Sequence, residues 1–148
     1  MRDVRRLWRL PWRDFPVFLE AFIFLAATRF VIAVLPFRKA ADLAARPVRQ
    51  SSLSVSVTRL RLKQVRWAIV AASRRAPWRT LCFEQGLTAQ CMLRRRGIAS
   101  TLYYGVAQDQ SGLSAHVWVR AGHQDVIGCE NAAQFSVLAS FPRRVVDG

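Results

Sequence analysis

Residues 80–97 read T-L-C-F-E-Q-G-L-T-A-Q-C-M-L-R-R-R-G, and this stretch decides the fold. Its spacing is helical. Thr80 is placed to cap the start and Gly97 to end the helix. Arg94, Arg95 and Arg96 fall in the last turn, where the helix dipole favours cations. Cys82, Gly86, Ala89 and Leu93 form one stripe, and the small residues at 86 and 89 let another element come close to the cysteine. Beyond Gly97 the period changes to two. Residues 101–107 (T-L-Y-Y-G-V-A) read as a strand and 108–112 as a turn. Residues 113–121 and 124–130 read as a hairpin around Gly122-His123. S-V-L-A-S-F (136–141) is a last short element in a C-terminal stretch that otherwise reads as loop. Helices, then a cysteine helix, then an antiparallel sheet make the class α+β.

Upstream, residues 1–45 read as helical: a basic amphipathic opening, an apolar helix ended near Pro36, and a short helix over 38–45. The loop R-P-V-R-Q-S-S-L-S-V-S (46–56) is the boundary between an N-terminal helical region (1–56) and the core (57–148). Residues 57–75 return to helical spacing, with Val57, Leu60, Val65, Ile69 and Ala72 on the apolar side. Pro77 breaks that helix.

The apolar run lies within residues 15–37. The 19 residues between Pro16 and Pro36 approach the ~20 needed to span a bilayer. Glu20 and Arg29 interrupt it, and a charge of that kind costs about 2.5–3.5 kcal/mol at the bilayer centre. We therefore read it as a helix packed on protein. The opening before it, with Arg2, Arg5, Arg6, Arg9, Arg13, Trp8 and Trp12, suits either an anionic membrane surface or a partner protein. The run has none of the short apolar core and small-residue cleavage site of a signal peptide.

The chain has 148 residues, 52% of them hydrophobic, which suffices for one core and argues against global disorder. Its net charge of +14 comes almost wholly from arginine and points to an acidic partner or a solvated basic surface. Three cysteines (Cys82, Cys91, Cys129) make no disulfide framework and show no zinc spacing. A reducing compartment, the cytoplasm, is expected, with no cofactor and no metal.

Chemistry enters with Cys82 at the helix start and His116 in A-H-V-W-V (115–119), on a strand. A thiolate nucleophile needs an adjacent base, and a helix N-terminus favours the anion. Cys91 and Cys129 lack that setting and read as small buried hydrophobes. His123, in the hairpin turn, reads as solvated. A third group should orient the imidazole. A two-residue turn at Gly122-His123 sets residue 116 opposite 129, and a three-residue turn sets it opposite 130. Asp125 would face 120 or 121, about 14–17 Å from His116. Glu130 is thus the expected orienting carboxylate and Asp125 the weaker one. With Cys129 opposite, the triad is defective or completed by Asn131.

The motifs then converge. P-W-R-T-L-C-F-E-Q-G-L-T-A-Q-C-M-L-R-R-R-G-I-A-S-T-L-Y-Y-G-V, S-A-H-V-W-V-R-A-G, V-I-G-C-E-N and F-S-V-L-A-S-F resemble the transglutaminase-like leader peptidases of lasso-peptide biosynthesis, over about residues 77–141. L-P-F-R after the apolar helix also resembles that family. The resemblance implies a papain-like core and a Cys-His-Asp triad that cleaves the leader from a ribosomally made precursor peptide. Cys82 and His116 match the first two members. The carboxylate falls near V-I-G-C-E, where this chain has Gly128, Cys129 and Glu130. The implied partners are the precursor, a separate leader-recognition protein, since the first 75 residues lack that module's strand-rich pattern, and a macrolactam synthetase. The implied mechanism is thiol acyl transfer, with the Cys82 N–H and Gln85 as candidate oxyanion donors. Two other classes stay open. One is a non-catalytic scaffold of the same fold that binds precursor or synthetase. The other is a basic module for membranes or nucleic acid. The arginine run at 94–96 is explained by the helix end, so no nucleic-acid partner is expected, and peripheral membrane contact stays open.

Overall fold

The computed structural model describes residues 13–44, 46 and 52–142. The basic helix expected over residues 1–12 and residues 47–51 of the serine-rich loop lie outside the described residues. Among the described residues, four helices are followed by four strands: Phe15–Val34 (α1), Phe37–Ala44 (α2), Val55–Arg75 (α3), Cys82–Arg95 (α4), Thr101–Asp109 (β1), Gly112–Ala121 (β2), Gln124–Ile127 (β3) and Ser136–Phe141 (β4). The class is α+β, as the change of period at Gly97 requires.

Local chemistry sets the boundaries. Pro16 occupies the first turn of α1, where its missing N–H costs nothing. Leu35 is extended, as a residue before proline must be, and the helix stops there. The Ser54 hydroxyl accepts from the Val57 N–H to cap α3, and Ala76, extended before Pro77, ends it. At the end of α4, Gly97 takes φ +70°. The Gly97 N–H donates to Arg94 O and the Ile98 N–H to Leu93 O, so the last carbonyls are satisfied and Leu93 and Ile98 are both buried.

The strands form one antiparallel sheet in the order β3-β2-β1-β4. Gly105 pairs with His116, and Leu102 with Val119. One face of the sheet carries α4. A Cβ placed on Gly86 would lie 2.9 Å from Val117 Cγ1, 3.2 Å from Leu102 Cδ1 and 3.6 Å from Val119 Cγ2, so the helix needs glycine to sit this close. The small-residue stripe thus performs the close approach expected of it. α1 and α3 pack with α4 around one core of Phe18, Ala21, Leu25, Leu62, Val65, Ile69, Leu87 and Leu93, among others.

The apolar side of α3 differs from the sequence reading. Its buried stripe is Leu62, Val65, Ala68, Ile69 and Ala72, whereas Val57 and Leu60 are exposed. Residues 62, 65, 69 and 72 keep the 3–4 spacing of a single face, and Leu60 falls on another side.

The two charges that interrupt α1 are held by α4. Glu20 accepts from Arg95 Nη1 at 3.1 Å and from Arg96 Nη2 at 2.7 Å. Arg29 Nη1 donates to Glu84 Oε1 at 2.9 Å. Glu84 is fully buried and also accepts from Trp78 Nε1 at 3.4 Å. Arg94 donates to Leu43 O at the end of α2. The arginine run is therefore the clasp between α4 and the N-terminal helices.

Candidate active site

Cys82 is the first residue of α4 and is half-buried. Leu81, extended, is the N-cap, and no side chain caps the helix. Thr80, expected in that role, instead accepts from Gln85 Nε2 at 3.1 Å. Its hydroxyl is spent on a side chain, and so is the Gln85 amide considered for the oxyanion. The first-turn N–H groups beside the thiol have no side-chain partner, which leaves the positive end of the helix dipole open there.

His116 lies mid-strand in β2, beside the contact between that strand and α4. Val117 and Val119 point at Gly86, so by strand alternation His116 and Trp118 project from the other face. Their neighbours agree. The His116 ring lies 5.1 Å from Phe135 and 6.0 Å from Trp118, and Trp118 stacks on Tyr103 at 5.7 Å. The segment between β3 and β4, with its 3-10 turn at Ala132–Gln134, brings Phe135 onto this face, where Gly105 leaves room for it and Trp118. No hydrogen bond joins Cys82 to His116. The fold brings their two elements into contact.

The ring has another partner. His116 Nε2 lies 2.7 Å from Gly128 O. A carbonyl only accepts, so Nε2 carries the proton and Nδ1 is the basic nitrogen of the neutral ring. This is the arrangement an orienting carboxylate would impose. Glu130, expected to provide it, is exposed and bonded to Arg66 of α3. The end of the ladder, and not its register, explains the exchange. The turn at Gly122-His123 has two residues, but the pairing shifts by one between Val119 and Arg120. Gly128 then takes φ +74°, ending the ladder before residue 130. Asp125 pairs with Arg120 at 2.9 Å, away from His116 as expected. His123 is exposed in the turn. Asn131 is exposed and precedes the 3-10 turn.

The other thiols sit in different surroundings. Burial pushes the Cys91 thiol above its ordinary 9.0, against the opposing Arg94 charge. Burial, then the Asp125 charge, push Cys129 up, against the Val126 N–H and Arg120. The Cys129 thiol also donates to Val119 O at 3.3 Å. Both stay protonated at neutral pH, as structural cysteines do.

The sequence did not disclose the part played by the Gly128 carbonyl, by Phe135 or by the Arg29–Glu84–Trp78 cluster. A glycine ending a β-branched strand was the available signal for the first. Among curated proteins and solved structures, nothing matches this chain. The family model of the transglutaminase-like superfamily matches residues 24–140, from the middle of α1 to the last strand. A chain whose cysteine helix, histidine strand and surrounding sheet all lie within that match belongs to the transglutaminase-like superfamily.

Proposed function

We propose that this chain is a cysteine peptidase that removes the leader from a ribosomally made lasso-peptide precursor. The observation that carries the reading is Cys82 at an uncapped helix start, on the helix packed against the His116 strand. Superfamily membership and the motifs at 77–141 support it. In the reaction, Cys82 Sγ attacks the carbonyl at the leader–core junction while His116 Nδ1 takes the thiol proton. The tetrahedral oxyanion collapses, the C–N bond breaks, and His116 returns the proton to the leaving amine. Water then hydrolyses the thioester, releasing the leader carboxylate and regenerating the thiol. Open N–H groups at the start of α4 are the oxyanion donors. Gly128 O orients the ring in the place of a carboxylate. The reaction demands a state in which Nδ1 reaches the thiol, which precursor or recognition-protein binding would favour.

Purified Cys82→Ala and His116→Ala proteins should retain the wild-type circular dichroism spectrum and lose leader cleavage by at least about a hundredfold, the usual scale for a nucleophile or its base. Cleavage at the wild-type rate by Cys82→Ala would overturn the reading. A second reading is a non-catalytic scaffold binding precursor or synthetase, and the hydrogen bond of the His116 ring to Gly128 O, with none to Cys82, favours it. Iodoacetamide distinguishes the two: a catalytic Cys82 alkylates faster than Cys91 and slows in His116→Ala, whereas a scaffold shows no such difference.

A further inference from the structure

α1 has two unlike faces. The inner one, Phe18, Ala21, Leu25 and Thr28, is buried against the rest of the chain. The outer one carries Phe15, Leu19, Ile23, Phe30 and Val34, which are 46%, 44%, 58%, 71% and 63% exposed. These residues run the whole helix, about 30 Å at 1.5 Å per residue. Little of the helix is buried, and it is long and apolar enough, by length and composition, to cross a membrane. The only charged side chains on the helix, Glu20 and Arg29, are bonded to α4, so the outer face is apolar from end to end.

We infer that the outer face of α1 lies in the interfacial layer of an anionic membrane, parallel to its plane. The inner stripe and the two sets of ion pairs argue against spanning. Drawing α1 across a bilayer would strip Glu84, which is fully buried, of its arginine. An interfacial helix needs an apolar face and a basic margin. Residues 1–14 hold five arginines against two aspartates, and Arg38 and Lys39 stand exposed just past the other end. Two tryptophans, Trp8 and Trp12, precede the helix, a residue type favoured at headgroup depth. A second copy of this chain is the poorer occupant, because two bodies of net charge +14 repel.

Flotation of the full chain with vesicles tests this. Vesicles of phosphatidylcholine and phosphatidylglycerol at 7:3 should carry the protein up the gradient, and pure phosphatidylcholine vesicles should bind it about tenfold less or weaker. Ile23→Asp and Phe30→Asp should each weaken anionic-vesicle binding about tenfold or more, with melting temperature and circular dichroism unchanged. Ile23→Ser and Phe30→Ser replace them if an aspartate variant misfolds. Leu113→Asp, a change at an exposed leucine on the β1–β2 hairpin, should leave binding as it is. No flotation with anionic vesicles, equal binding by the α1 variants, or an equal loss in Leu113→Asp would each overturn the proposal. So would recruitment to vesicles only through another protein.

Discussion

Gly128 does two things that no other residue could do at once. Its φ of +74° turns the chain out of β3, and its carbonyl then faces the His116 ring. A Cβ there would lie 2.7 Å from Val117 O and 3.3 Å from Trp118 Cα, both backbone atoms that cannot yield cheaply. The position nearest the ring therefore excludes a carboxylate side chain in this backbone, and a main-chain oxygen serves instead. Gly128→Ala should cost about 1–3 kcal/mol, the scale of a left-handed non-glycine residue, before the clash is counted. Urea unfolding monitored by tryptophan fluorescence measures this, and an unchanged midpoint would show that the turn relaxes freely. Cys82 at a helix start and His116 on a strand were legible in the sequence because cysteine and histidine are rare residue types and their places follow from the local pattern. Gly128 was not, because its role lies in a backbone atom.

Elements behaved as their punctuation required. Pro16, Pro36, Ser54, Pro77 and Gly97 mark helix ends with chemistry that leaves the backbone little choice, and the helices begin and end beside them. Thr80 looked equally suited to a cap, but the side chain five residues on claimed its hydroxyl. The bulge between Val119 and Arg120 has no residue signature, since neither position is glycine or proline; its one-residue slip would set Glu130 opposite His116, and it is the end of β3 at Ile127 and the turn at Gly128 that keep the two apart. Val57 and Leu60 misled for a related reason: an apolar residue at helical spacing says only that some face is apolar, and not which one is covered. At the α4–β2 contact, Gly86→Val should destabilise by about 1–3 kcal/mol, because the added atoms overlap Val117 Cγ1, part of a stiff β-branched side chain. Denaturant titration reads the loss. A stability gain would mean that the better helix propensity of valine over glycine outweighs the overlap.

For the molecule as a whole, charge and the thiols set the working range of pH. Cys91 and Cys129 are each raised above 9.0 in the fold. A group whose folded value is raised contributes stability that is complete below its unfolded value and disappears as pH climbs through the folded one. Stability should therefore be flat from neutral pH to about 9 on this account and fall above it. The variant Cys91→Ala/Cys129→Ala should flatten that alkaline slope, whatever it costs at pH 7. Urea midpoints between pH 7 and 10.5 provide the check, and an identical slope in the variant would assign the alkaline loss to other groups. The α+β layout was legible at this scale because the period changes once, at Gly97. The partition of residues between the two sheet faces was not, because it depends on which face α4 chooses.

The clasp between α1 and α4 also has a timetable. Glu20 meets its arginines 75 and 76 positions further along the chain, and Arg29 meets its glutamate 55 positions further. At a synthesis rate of about 5–20 residues per second, those partners leave the ribosome several seconds after α1 does. For that interval the most apolar segment of the protein exists without the helix that neutralises it. Docking of α1 is thus a late event in the life of each new molecule, governed by the arrival of residues far along the chain.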